Sequence, residues 1–321
     1  MPNLNLKNEL ISPPTIVIPA YQRADKLQLR LNEILHWKKC IKVIISIDGP
    51  RKSANLNEKR RNDEVVSLAK SFTNKESRVI AKSWEVNYGV NHHAYRIFKW
   101  LSACEQDLII IEDDVSVNDK ALDYLTDQLG SNRVLAAAAH SLKEHSVAQP
   151  LSTRLTAFPT QWGVGLKSEV VKRYVNFYEN PRIDYRVLRK IMNLSLGDTL
   201  TSHELRRLAS WWYQHLNLCV RHGDYADALI QYCVYSLDSL YAVPQKSLIR
   251  DDAEINDERS LTPRRDLPMI GKCGQIPCEI SKNEFRCSNC ELAGSHINDA
   301  TLRNIVGAAK YRMFNKYKHF F

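Results

Sequence analysis

Leu108-Ile109-Ile110-Ile111-Glu112-Asp113-Asp114 runs four apolar residues straight into three carboxylates. A short, β-branched run that ends abruptly in polar residues predicts a buried strand. Three adjacent carboxylates at its end repel one another, and holding them together is costly unless water or a cation neutralises them. One reading is a solvated turn. The other is a divalent cation, Mg²⁺ or Mn²⁺, which prefers oxygen ligands and takes one or two protein carboxylates, completing its shell with substrate phosphates.

Working outward, Thr15-Ile16-Val17-Ile18-Pro19 is a second short apolar run, set between Pro13-Pro14 and the polar loop Ala20-Tyr21-Gln22-Arg23. Lys42 to Ile47 is a third, ending in Asp48-Gly49-Pro50, and Val134 to Ala139 a fourth, closed by His140. Between them, helical spacing is read at 24–36, 58–72, 90–104 and 120–129, with a short strand at 79–81. Further along, helices are expected at 168–178 and 226–237, with a basic, amphipathic stretch at 182–193 between them, and a strand at 239–243. Strands alternating with helices predict an α/β fold, a mostly parallel sheet with helices on both faces. Ligands of such folds bind beyond the carboxyl ends of the strands. Ala20 to Arg23, Asp48-Gly49 and Glu112 to Asp114 all fall there.

Taken in order, Pro19-Ala20-Tyr21-Gln22-Arg23, Ser46-Ile47-Asp48-Gly49, Asn87-Tyr88-Gly89-Val90-Asn91 and Ile110-Ile111-Glu112-Asp113-Asp114 resemble the nucleotide-sugar half of GT-A (Rossmann-like) glycosyltransferases. The resemblance is to inverting enzymes of the N-acetylglucosaminyltransferase I type and to bacterial nucleotide-diphospho-sugar transferases, over roughly residues 14 to 250. It implies a UDP-sugar donor and a glycan or glycolipid acceptor. It also implies roles. Asp114 would bind the metal bridging the two phosphates, Asp113 would lie near the ribose or a metal-bound water, and Glu112 would face the donor sugar. Pro19, Ala20, Tyr21 and Arg23 match the loop beside the base, Asp48 the acid that hydrogen-bonds uracil, and Asn87 and Gly89 the loop closing around the nucleotide.

Gln161-Trp162-Gly163-Val164-Gly165 resembles the tryptophan-glycine segment that follows the nucleotide half; tryptophan offers a flat face for a sugar ring. Inverting transfer needs a base for the acceptor hydroxyl. By position in the related bacterial proteins that base is Asp227, with Asp224 the alternative. Ala226 stands where those proteins carry tryptophan, and a first-turn acid complementing the helix dipole is an equal reading of Asp227.

Cys273, Cys278, Cys287 and Cys290 have C-x4-C-x8-C-x2-C spacing, which suits a structural Zn²⁺ and equally admits free thiols or disulfides. Cys40, Cys104, Cys219 and Cys233 sit singly in apolar stretches and read as core. The expected division is a GT-A domain at 1–250, with a nucleotide half at about 14–140 and an acceptor half at about 141–250, followed by a C-terminal extension at 251–321. A formal net charge of +9 suits phosphate-bearing ligands or an anionic membrane surface. The basic, aromatic stretch 310–318 fits a docked helix or a membrane-surface tail, and no specific nucleic-acid partner is expected. No apolar run of 18 residues and no leader pattern stands out, so a cytoplasmic place is expected, with peripheral contact at the inner face of the membrane left open. A sugar-nucleotide pyrophosphorylase or cytidylyltransferase would share the parent fold, but Ala20 to Arg23 lacks the glycine-rich loop those enzymes use. A non-catalytic nucleotide or nucleic-acid binding protein is the other alternative.

Overall fold

The computed structural model describes residues 13–39, 42–131, 133–140, 153–157, 159, 161, 163–196, 201–222, 226–245, 247–251, 280–281 and 284–285. Asp224, Trp162, Cys40, the cysteines Cys273, Cys278, Cys287 and Cys290, and the basic tail lie outside the described residues. The first half of the chain forms β1 (Thr15–Ala20), α1 (Ala24–His36), β2 (Val43–Ile47), α2 (Leu56–Lys75), β3 (Val79–Ser83), α3 (Gly89–Ser102), β4 (Leu108–Ile110), β5 (Val115–Ser116) and α4 (Asp119–Gly130). There follow β6 (Ala136–Ala138), β7 (Thr153–Thr156), β8 (Val164–Leu166), α5 (Ser168–Glu179), α6 (Tyr185–Leu196), α7 (Ser202–His222), α8 (Ala226–Ser236), β9 (Tyr241–Pro244) and β10 (Arg250–Asp251).

Eight strands form one sheet in the order β3-β2-β1-β4-β8-β6-β9-β7. Neighbours β3, β2, β1 and β4 pair in parallel, as do β6 and β9. Only β8 and β7 run against the rest. The α/β class expected from the sequence is therefore what the structure shows.

Successive strand residues point to opposite faces, and each face is covered. Ile16, Ile18, Val43, Ile45, Ile109 and Ile111 pack with Leu27, Leu31 and Ile34 of α1, Val65 and Ala69 of α2, and Leu122 and Leu125 of α4. Val17, Ile44 and Leu108 face the other way, against Ile97 and Phe98 of α3 and the buried sides of α5 to α8.

Three features depart from the sequence reading. The tryptophan-glycine segment 161–165 carries no strand signal in the sequence, yet Val164–Leu166 is a central antiparallel strand between β4 and β6. Its Gly165 lets Leu129 of α4 lie against the sheet, since a Cβ there would meet Leu129 Cδ1 at 3.1 Å. The second is α7, a helix of 21 residues. The third is Cys104, which is exposed at the end of α3, while Cys219 and Cys233 are buried as expected.

Candidate active site

The carboxyl ends of β1, β2 and β4 meet at one edge of the sheet, and the polar clusters read from the sequence meet with them. Arg23, at the N-cap of α1, is their cation. Its Nε donates to Asp113 Oδ2 at 3.2 Å, its Nη2 to Asp113 Oδ1, and its Nη1 to Asp114 Oδ2 at 2.7 Å. Both carboxylates are buried, with Asp113 3% and Asp114 8% exposed. Burial pushes Asp113 up to about 6, and the Arg23 charge opposes that rise. The remaining oxygen of Asp114, Oδ1, is buried and has no hydrogen-bond partner among the described residues.

Asp48, at the end of β2, does something else. Its Oδ1 accepts from the backbone N–H of Gly49 at 3.1 Å and Tyr88 at 2.9 Å, and its Oδ2 from Gly89 N–H at 3.0 Å. Tyr88 is the N-cap of α3, so the carboxylate takes over the capping that the tyrosine side chain does not provide. Burial raises Asp48 to about 6 against the pull of these three donors. Gly89 has φ +71°, and Asn87 Nδ2 donates to Gly49 O at 2.9 Å, closing the loop onto the β2 end. A Cβ at Gly49 would lie 2.6 Å from Val86 C and 2.7 Å from Trp84 O, so only glycine lets the two segments touch. Beneath them Trp84 Nε1 donates to Ser46 Oγ at 3.1 Å, and Ser46 Oγ shares a 2.8 Å hydrogen bond with His93 Nε2. Burial lowers His93 to about 4, which keeps it neutral.

A second set of contacts fixes the loop after β1. Asn62 of α2 donates through Nδ2 to Tyr21 O at 2.7 Å and to Asp48 O at 2.8 Å, tying the ends of β1 and β2 together. Tyr21 OH donates to Glu58, which Arg51 grips with Nε at 2.9 Å and Nη2 at 2.6 Å. The Arg51 contacts pull Glu58 down to about 2, and burial with the Glu58 bond pushes Tyr21 up to about 12. Asn62, Glu58 and Arg51 were missed in the sequence. The Asn55-x-x-Glu58 pattern was the available signal: Glu58 N–H donates to Asn55 Oδ1 at 2.9 Å, so α2 starts earlier than its apolar spacing suggests.

Asp227 arrives from far along the chain, in the first turn of α8. Since α8 leads into β9, which is parallel to β6, its N-terminus lies at the carboxyl edge of the sheet. Asp227 is accessible to water, but the protein around it strips enough hydration from its carboxyl to raise it to about 6. It lies close enough to Glu112 that its charge helps hold that acid well above the usual carboxylate range, after burial and Asp114. Tyr174 and Tyr241 feel the same charge. Gln161 Nε2 reaches the Tyr241 hydroxyl at 3.4 Å, which places the segment before Trp162 beside this group. Gln231 of α8 donates to Ala157 O at 2.6 Å, as does Tyr235 OH, fixing α8 to the strand β7 that precedes the segment.

The structure thus brings Arg23, Glu112, Asp113, Asp114 and Asp227 to one edge, and Asp48, Asn87 and Gly89 beside them as one bonded loop. His140 is buried at the end of β6. Among the described residues no group of three or more His, Cys, Asp or Glu side chains is disposed to hold a metal ion, and none of the helices is long and apolar enough to cross a membrane.

No protein-family model matches the chain, and no curated protein matches it. Solved structures similar to it include TarS residues 1–349 of S. aureus, 12% identical with a TM-score of 0.37 over 60% of this chain and 67% of that one. The same TarS fragment in complex with UDP-GlcNAc is 12% identical with a TM-score of 0.35, over 49% and 46% of the two chains. A 4-diphosphocytidyl-2C-methyl-D-erythritol synthase of Anaerococcus prevotii DSM 20548 is 10% identical with a TM-score of 0.36, over 55% and 81%.

Proposed function

We propose that this chain is a glycosyltransferase that moves a sugar from a nucleoside-diphosphate donor, UDP in first place, to a hydroxyl of a glycan or glycolipid acceptor with inversion. The observation that carries this reading is the approach of Asp227 to Glu112 beside the Asp113–Asp114 pair, four acids from two distant segments at one sheet edge.

The two carboxyls that feel each other divide the work. Burial and the Asp114 and Asp227 charges raise the Glu112 carboxyl well above its usual range, which suits it to donate a hydrogen bond to a donor-sugar hydroxyl. Asp227, at about 6, is ionised at neutral pH and accepts the proton of the attacking hydroxyl. The acceptor oxygen bonds to the anomeric carbon, the bond from that carbon to the diphosphate oxygen breaks, and the proton moves to Asp227. Asp48 holds the Asn87–Gly89 loop around the nucleotide, and Tyr21, fixed by Glu58, lines the base.

The orphaned Oδ1 of Asp114 fits an Mg²⁺ or Mn²⁺ ligand, with Asp113 as its neighbour. Such an ion, when bound, would neutralise charge developing on the leaving diphosphate. The cytidylyltransferase alternative is less well supported, because side chains rather than glycine amides hold the loop after β1.

The test is a panel of nucleotide sugars assayed for transfer and hydrolysis with and without Mn²⁺, together with calorimetry of UDP and Mn²⁺ on Asp114→Ala. Metal-dependent turnover that Asp114→Ala abolishes is expected. Binding of UDP with no turnover on any donor would leave the binding-protein alternative.

A further inference from the structure

Arg23 lies within hydrogen-bonding distance of both Asp113 and Asp114, and its side chain is itself only 15% exposed. Asp114 keeps one buried oxygen, Oδ1, without a partner. The guanidinium therefore neutralises half of the pair's charge and occupies one oxygen of the acid that the proposed function assigns to the metal.

The pairing then sets the order of binding. A divalent cation entering alone would be repelled by the guanidinium, and it would have to displace or crowd Nη1 from Asp114 Oδ2. A diphosphate brings two negative charges in a sugar nucleotide, and it offers oxygens that match the planar fork of the guanidinium.

We propose that Arg23 is an internal counter-cation that blocks metal binding in the donor-free protein and passes from Asp114 to the diphosphate when the nucleotide arrives. Metal and nucleotide then bind as a coupled pair, each tightening the other by the same factor. This inference rests on the glycosyltransferase reading of the site but concerns Arg23, not the chemistry.

The test is Mn²⁺ binding to the full chain, followed by electron paramagnetic resonance at pH 7.5 with and without UDP, with no turnover measured. In the wild type, Mn²⁺ binding should be weak alone and tighten with UDP. Arg23→Gln removes the charge and keeps a planar amide, so it should bind Mn²⁺ alone roughly tenfold to a hundredfold more tightly, the range expected for a unit charge a few ångströms away. It should also lose most of the coupling to UDP. Arg23→Lys keeps the charge and should stay weak for Mn²⁺ alone, which separates charge from misfolding if the glutamine variant unfolds. Equal Mn²⁺ affinity of the wild type with and without UDP, or a lysine variant that gains metal affinity, would overturn the proposal while leaving the glycosyltransferase reading intact. Absence of Mn²⁺ binding with UDP present, in the wild type and both variants, would overturn both.

Discussion

Replacing Asp48 by alanine removes the acceptor of three backbone N–H groups in one step. Those of Gly49, Tyr88 and Gly89 approach the carboxylate at 3.1, 2.9 and 3.0 Å. An orphaned buried donor costs about 1–3 kcal/mol. Gly49 is buried, whereas Tyr88 and Gly89 are half-buried, so water repairs part of the loss at the last two. The sum for Asp48→Ala is therefore about 2–5 kcal/mol, and for Asp48→Asn, which keeps one acceptor and turns an NH₂ toward a donor, about 1–3 kcal/mol. The pH dependence has a definite sign. Asp48 is raised from 3.8 to about 6 in the fold, so it contributes stability below about pH 4 that is lost as the pH rises through 6. The gap between wild type and Asp48→Ala should accordingly be wider at pH 5 than at pH 7.5. Urea unfolding at the two pH values measures both quantities. If Asp48→Ala loses less than about 1 kcal/mol at pH 7.5 yet no longer binds UDP, the carboxylate contacts the ligand and does not serve the loop, and the reasoning from hydrogen bonds fails.

Asp227→Asn should lower turnover roughly 100- to 10,000-fold and leave UDP affinity within about twofold, whereas Glu112→Gln, which imitates a protonated acid, should keep more activity and the same acid limb near pH 6 in the rate profile. The reverse ranking would exchange the two roles. Gly49→Ala drives a Cβ into backbone atoms of Trp84 and Val86 that cannot rotate aside, and should cost about 1–3 kcal/mol in urea unfolding; a neutral result would mean that the 84–86 segment is free to move. Glu58 sits at about 2 through its Arg51 contacts, so it contributes stability above pH 4.5 that is lost as the pH falls toward 2. Glu58→Gln should flatten acid unfolding over that window, and an unchanged acid midpoint would show that the Arg51 contact carries no stability.

The first half of the chain was legible because its strands are short, apolar and end in charge. Thr15 to Pro19, Lys42 to Ile47 and Leu108 to Ile111 became β1, β2 and β4, and α1 and α4 fall within a residue of their expected bounds. The second half was less legible for a physical reason. Val164-Gly165-Leu166 is too short and glycine-containing to read as a strand, and only its partners on both sides, Ile109 and Ala137 against Gly165, make it one. Of the site, the acids were visible as an unneutralised cluster. Their neutraliser was not, since Arg23 and Asp113 come together only through the β1–β4 pairing. Nor could spacing show that Asp48 would cap α3, because a helix start that lacks its own cap looks the same in sequence as one capped from a distant strand.

The acids at this edge are settled by different means. Asp48 is held by three N–H dipoles, which fix a loop and leave its carboxyl committed to structure. Asp113 and Asp114 are held by a guanidinium, which a stronger cation or a better anion can exchange. Glu112 and Asp227 repel one another and sit away from ordinary carboxylate behaviour: burial and the Asp114 and Asp227 charges raise Glu112 against the opposing pull of Arg23, and lost hydration raises Asp227. On the function proposed above, the first kind of acid would organise a loop, the second would bind the donor phosphates on the Arg23 side of the edge, and the third would carry the acid–base step.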